Sequence, residues 1–113
     1  MKPPKLRPCA ECPFKKTSAA GWIGGHDDPE EITRLVEHVG FPCHMDVTSI
    51  KDKNSDIDHS EACDMARYCS GGLIMLNNSL TLSRVEEVAM SQREVSKSND
   101  IFRNKHEFIE HHK

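Results

Sequence analysis

The stretch Cys9-Ala10-Glu11-Cys12-Pro13-Phe14 carries the first chemistry legible in this sequence. Two cysteines separated by two residues, on an extended segment punctuated by proline, can turn both sulfurs toward one point, which is half of a tetrahedral metal site. The other half has to come from elsewhere, and the candidates are Cys43 with His44, Cys63 and Cys69. The full spacing is Cys9-x2-Cys12-x30-Cys43-x19-Cys63-x5-Cys69. A lone Cys-x-x-Cys is shared by zinc sites, iron–sulfur sites and redox dithiols. A thioredoxin-type dithiol is disfavoured, because no βαβ pattern surrounds the pair and Cys9 does not open a helix. Scattered core thiols are the plainer alternative, since cysteine packs as a small hydrophobe. Cysteines beside Pro13 and Pro42 are, however, poorly placed to be core residues.

Cys43 is the expected third ligand, because Pro42 holds it on a short extended segment. Cys63 and Cys69 compete for the fourth place. Six residues apart on a helix, they lie about 240° apart around its axis and share no face. Cys69 is preferred, because Gly71 and Gly72 beside it let backbone and ion, or backbone and cluster, approach closely. It also falls on an apolar stripe, so plain core packing stands beside that reading, and Cys63 is kept as the alternate ligand. His44 directly follows Cys43. Neighbours on an extended segment point to opposite sides, so His44 is expected to support the site from outside the coordination sphere. Zinc is the first-choice ion, being the commonest closed four-thiolate structural metal. A [4Fe–4S] cluster is the alternative, since cysteines on separated segments suit it too.

No catalytic residues stand out. There is no acid–base pair and no open His/carboxylate metal set, and the glycines around Trp22 match neither nucleotide-binding fingerprint. Gly21, Gly24 and Gly25 instead mark a tight turn around a large apolar anchor. His106, His111 and His112 read as solvated cations at a helix C-terminus.

These residues need elements to position them. Asp28-Pro29-Glu30-Glu31 is a helix start, with Asp28 as N-cap and Pro29 at the first helical position. Ile32, Leu35, Val36 and Val39 continue it at helical spacing, and Gly40 ends it. Residues 51–58 are polar, lack periodicity, and read as an exposed loop. Ser60 is expected to cap a buried helix over about 61–78, on the stripe Ala62, Met65, Ala66, Cys69, Leu73, Leu76 and Leu80. The two glycines cost such a helix about 2 kcal/mol, so a break there would leave Cys69 opening its second half. Ser83-Arg84-Val85-Glu86 is a capping-box pattern for a short helix through Met90. Residues 91–98 read as a polar connection, and a last helix is expected from Asp100. The fold class is mainly α, with room for a short strand or hairpin around the cysteine loops that would make it α+β.

At 113 residues the chain is expected to be one domain, residues 9–113, behind an extended or poorly ordered arm of residues 1–8. A hydrophobic content of 36% is lean, which favours a metal's help in holding the fold. The opening Met-Lys-Pro-Pro-Lys is followed by no apolar leader, and no run is long enough to span a bilayer. The expected setting is the reducing cytoplasm, where cysteines read as ligands before disulfides. Residues 1–16 hold five cations and one acid, which leaves −7 on the remainder of a chain of net charge −3. The basic residues Lys2, Lys5, Arg7, Lys15 and Lys16, with Trp22 close by in sequence, are the candidate binding surface. A protein partner is favoured over nucleic acid because the rest of the chain is acidic.

Five motifs in order are more specific than any one alone. They are Cys9-x-x-Cys12-Pro13-Phe14-Lys15-Lys16, Gly21-Trp22-Ile23-Gly24, Phe41-Pro42-Cys43-His44, Cys69-x-Gly71, and Glu107-Phe108-Ile109-Glu110-His111-His112. Together they resemble a family of small uncharacterised proteins frequent in bacteriophage genomes, with a Cys-x-x-Cys-Pro-Phe-Arg opening and a later Cys-His. Lys15 stands where arginine is more usual. The resemblance implies that Cys9, Cys12, Cys43 and Cys69 belong to the shared pattern, and it brings no activity with it. The expected function is that of a small metal-binding accessory protein, phage-encoded and at work in a host cytoplasm, acting through macromolecular interaction, with a host or phage protein as partner. The iron–sulfur alternative would give it a redox or sensing role. Binding is favoured over catalysis.

Overall fold

The computed structural model describes residues 1–23 and 28–113, so the expected turn at Gly24-Gly25 lies outside the described residues. Six helices form among them: α1 (Pro29–His38), α2 (His44–Lys53), α3 (His59–Met65), α4 (Ser70–Asn78), α5 (Glu86–Gln92) and α6 (Lys105–His112). Extended pairing among the described residues is limited to three isolated bridges, Lys2 with Arg67, Lys15 with Ile101 and Pro42 with Tyr68. The chain is therefore mainly helical and closes into one globule. Its radius of gyration of 13.0 Å is about that expected for a folded chain of this length.

α1 forms as its sequence dictates. The Asp28 carboxylate accepts the Glu30 N–H at 2.9 Å, Pro29 opens the helix, and Ile32 and Val36 are buried. Gly40 ends it with φ +98° and donates its N–H to the Leu35 carbonyl at 2.7 Å. Glycine is needed there twice over, since a Cβ at that position would also collide with the Tyr68 ring.

The helix expected over 61–78 is two helices, and Cys69 opens the second half as the expected break would have it, although the break falls before Cys69 and not at the glycines. α3 starts from Asp58, whose side chain accepts the Glu61 N–H at 2.8 Å, and Ser60 is not its cap. After Met65 the chain turns extended, because residues 67–69 pair with the backbone of 41–43. Cys43 N–H bonds the Arg67 carbonyl at 2.8 Å, and Cys69 N–H bonds the Phe41 carbonyl at 2.7 Å. Those bonds take the place of helix continuation, and α4 begins immediately after Cys69.

Three further expectations are corrected. Residues 51–53 belong to α2, not to a loop. That helix buries only Val47, too thin a stripe to register as periodicity, and sits with Ala62 and Ala66 in a small apolar cluster apart from the main core. The final helix begins at Lys105 and not at Asp100, capped by Asn104, which accepts the Glu107 N–H at 3.0 Å. Ile101 and Phe102 are buried in the approach to it, because the Asn78 side chain at the end of α4 holds that stretch. Its amide donates to the Ser98 and Phe102 carbonyls at 2.9 and 3.1 Å and accepts the Ser98 N–H at 3.0 Å. Ser83 does not complete a capping box with Glu86. Its hydroxyl donates to the Glu37 carbonyl and accepts the Val85 N–H at 3.1 Å, and α5 runs on to Gln92.

α4 is the axis of the main core, buried from Ser70 through Leu76. Phe14 plugs the other side. It stacks on Phe108 of α6 with centroids 4.7 Å apart and meets Phe41 edge-on at 6.1 Å. Among the described residues, no helix is long and apolar enough to cross a membrane.

Candidate functional site

The Cys9–Cys12 segment is a chain of tight turns. Cys12 N–H bonds the Cys9 carbonyl at 3.3 Å, and Lys15 N–H bonds the Cys12 carbonyl at 3.2 Å. Pro13 interrupts further donation, so no helix grows there. Cys12 is buried at 1% exposure, while Cys9 is half-buried.

Cys43 and Cys69 occupy equivalent places. Each stands at one end of the short antiparallel pairing around Pro42 and Tyr68, and each is the N-cap of the next helix, with φ near −65° and extended ψ. Both are buried. The helix N-termini that follow them favour negative charge on sulfur.

These four thiols meet in pairs. Cys9 is in hydrogen-bonding contact with Cys12 and with Cys43, and Cys12 with Cys69. The contacts run as an open chain, Cys43–Cys9–Cys12–Cys69. Among the described residues, no three His, Cys, Asp or Glu side chains converge as a group poised to hold an ion. No pair is joined as a disulfide.

Electrostatics in the cluster pull two ways. The Cys12 thiol is held well above its ordinary value, first by its contact with Cys69 and then by burial. Cys43 is raised by its contact with Cys9 and by burial, and Cys9 by its contact with Cys12. A proton shared between sulfurs is favoured wherever a second thiolate beside the first would be uncompensated. Against this, backbone N–H groups act on three of the sulfurs and favour the thiolate: Glu11 on Cys9, Phe14 on Cys12 and Asp46 on Cys43. Amides directed at a sulfur favour its anionic form.

Gly71 lets α4 come this close. A Cβ there would collide with the Cys12 sulfur and lie 3.1 Å from Cβ of Phe14. Gly72 admits Val36 in the same way, at 3.0 Å. The glycines beside Cys69 thus make room for Cys12, Phe14 and Val36.

Cys63 stands apart from the cluster. On α3 its sulfur lies 3.5 Å from Nε2 of His59, one turn earlier, and burial raises its thiol. His44 opens α2 and takes the Trp22 ring edge-on at 5.5 Å, so it is tied to the tryptophan.

Two of the C-terminal histidines are structural, which the sequence reading missed. His112 is only 5% exposed. Its Nδ1 accepts the Gly21 N–H at 3.1 Å, which puts the proton on Nε2, and Nε2 donates to the Pro13 carbonyl at 2.7 Å. His111 Nε2 reaches the Ser18 carbonyl at 2.7 Å. Together they clamp the loop that follows Cys12. The available signal was Phe108, four residues before His112 on the same helix face.

The basic residues are not a detached arm. The Lys2 backbone bonds Ala66 and Tyr68, each at 3.0 Å, and the Arg7 carbonyl accepts the Ser70 hydroxyl at 3.0 Å. Lys15 and Lys16 run instead beside residues 100–102. Lys2, Lys5, Arg7, Lys16 and Trp22 are exposed, and Lys15 is half-exposed. No protein-family profile, curated protein or solved structure matches the chain.

Proposed function

We propose that this is a small metal-binding accessory protein whose Cys9, Cys12, Cys43 and Cys69 hold one structural zinc ion, and which works by binding a macromolecular partner. The observation that carries the reading is the string of four thiols in pairwise contact, with backbone amides acting on three of the sulfurs. Sulfurs at the corners of a zinc tetrahedron are about 3.8 Å apart, given zinc–sulfur bonds of about 2.3 Å, so a zinc site asks for four thiols that are mutual neighbours. Drawing the open chain closed around an ion takes side-chain rotation, and the segments that carry the thiols are already adjacent. A [4Fe–4S] cluster, the alternative, would push the cysteine sulfurs well beyond mutual contact, which is why zinc comes first.

A closed four-thiolate site has no open position at which to activate water, so the activity falls to the surface. The resemblance to phage-borne proteins extends the reading to a phage-encoded protein acting on a host or phage protein in the host cytoplasm. Purification without oxygen followed by metal analysis tests the ion: a colourless protein with a single zinc per chain is expected. A brown protein with broad visible absorption means the cluster, and a metal-free protein of full stability overturns the metal reading. Binding to a labelled duplex or single strand should be weak and steeply salt-dependent, since few phosphates can be contacted. Tight binding that survives near-physiological salt would overturn the preference for a protein partner.

A further inference from the structure

A cleft of about 370 Å³ is lined by the cysteine loop and the residues that follow it, with Cys12 and Trp22 among them. Its size falls within the range of small-molecule sites, roughly 300–1,000 Å³. Lys15, Thr17 and Glu11 are among its other lining residues. Among the described residues, none of these three side chains makes an ion pair or hydrogen bond. Trp22 is 36% exposed and braced from one side by the His44 ring at 5.5 Å.

We propose that this cleft is a nucleotide-binding site, taking a free nucleoside monophosphate with its base on Trp22 and its phosphate on Lys15 and Thr17. Each demand of the lining points to a part of such a ligand. A free cation beside a hydroxyl suits a tetrahedral oxyanion, because the ammonium supplies charge and the hydroxyl a further donor. A partly exposed indole offers aromatic surface for a base to stack on. The Glu11 carboxylate, an acceptor only, suits the hydroxyls of a ribose or the amino group of a base. Docking here is not the phosphate-loop mode: the phosphate is held by side chains, which agrees with the absence of a nucleotide fingerprint around Trp22. The proposal does not depend on a bound metal.

Trp22 is the only tryptophan, so its emission reports the cleft directly. The protein as purified is titrated with AMP, adenosine, inorganic phosphate and phenylalanine, and binding is checked by calorimetry. Saturable quenching by AMP is expected, with adenosine and phosphate each weaker by about tenfold or more. Lys15→Gln should weaken AMP by about tenfold and leave adenosine unchanged, whereas Lys97→Gln, at an exposed position outside the cleft, should change neither. Circular dichroism of the variants separates lost binding from lost fold. No saturable response to AMP, equal binding of adenosine and AMP, or an AMP affinity untouched by Lys15→Gln would overturn the proposal. So would tighter binding of phenylalanine, which would make this a zwitterion site, or of a short single strand, which would make it part of a nucleic-acid track.

Discussion

The four thiols in contact and the one that stands apart predict different outcomes for the same substitution. On the proposed zinc reading, Cys9→Ser, Cys12→Ser, Cys43→Ser and Cys69→Ser should each lose metal and lower the melting temperature, because a serine oxygen is a poor thiolate substitute. Cys63→Ser should leave any metal content unchanged and alter stability by about 1 kcal/mol or less, since Cys63 is only partly buried against the small Val47, Ala62 and Ala66 cluster and its sulfur reaches His59. Metal loss in Cys63→Ser with retention in Cys69→Ser would reassign the fourth ligand. His112 predicts a pH effect. Burial holds its pKa below the ordinary 6.5, and its Nδ1 must stay unprotonated to accept from Gly21. In the window between the two pKa values the unfolded chain binds more protons than the folded one, so stability falls with falling pH. Its contribution should be complete above about pH 6.5 and lost as pH drops through the folded value. Chemical denaturation at several pH values should show that slope, and His112→Gln should flatten it. An unchanged slope in the variant would place the acid sensitivity elsewhere.

Elements were legible where their signals are local, and illegible where another segment decides. α1 carries its own cap, proline and glycine stop, and formed as written. The split between α3 and α4 could not be read from the apolar stripe, because it follows from hydrogen bonds that residues 67–69 make with 41–43. α2 was missed because Val47 alone is buried on it. The site was legible in part. The sequence offered Cys9, Cys12, Cys43 and Cys69, with Cys63 as alternate, and the structure places the first four as neighbours and Cys63 on α3. The histidine clamp was not legible, since a terminal His-His reads as solvent-exposed without its partners. At this scale Gly71→Ala is the sharpest probe. Its methyl group would have to displace the Cys12 sulfur, so a loss of about 1–3 kcal/mol is expected, with weaker metal retention, by calorimetry and metal analysis. Asn78→Ala should cost a similar amount, about 1–3 kcal/mol, by stranding the Ser98 and Phe102 backbone groups. Either variant at full stability would show that the packing relaxes there without cost.

At the scale of the molecule, residues 1–23 form no helix of their own and are held by distant parts of the chain. The Phe14 ring is sandwiched against Phe108, the Lys16 N–H bonds the Asp100 carbonyl at 2.9 Å, and the Phe102 N–H bonds the Phe14 carbonyl at 3.2 Å. The histidine clamp closes the same interface from the other end. Two segments that satisfy each other's backbone in this way cannot open one at a time. They should therefore fluctuate as one cooperative unit, and native-state hydrogen exchange would see it. The amides of Lys16, Gly21 and Phe102 should exchange with one shared opening free energy, although they lie on strands of chain some eighty residues apart. His112→Ala should speed all three together, and acceleration of Gly21 alone would mean that the loop and the last helix come apart independently.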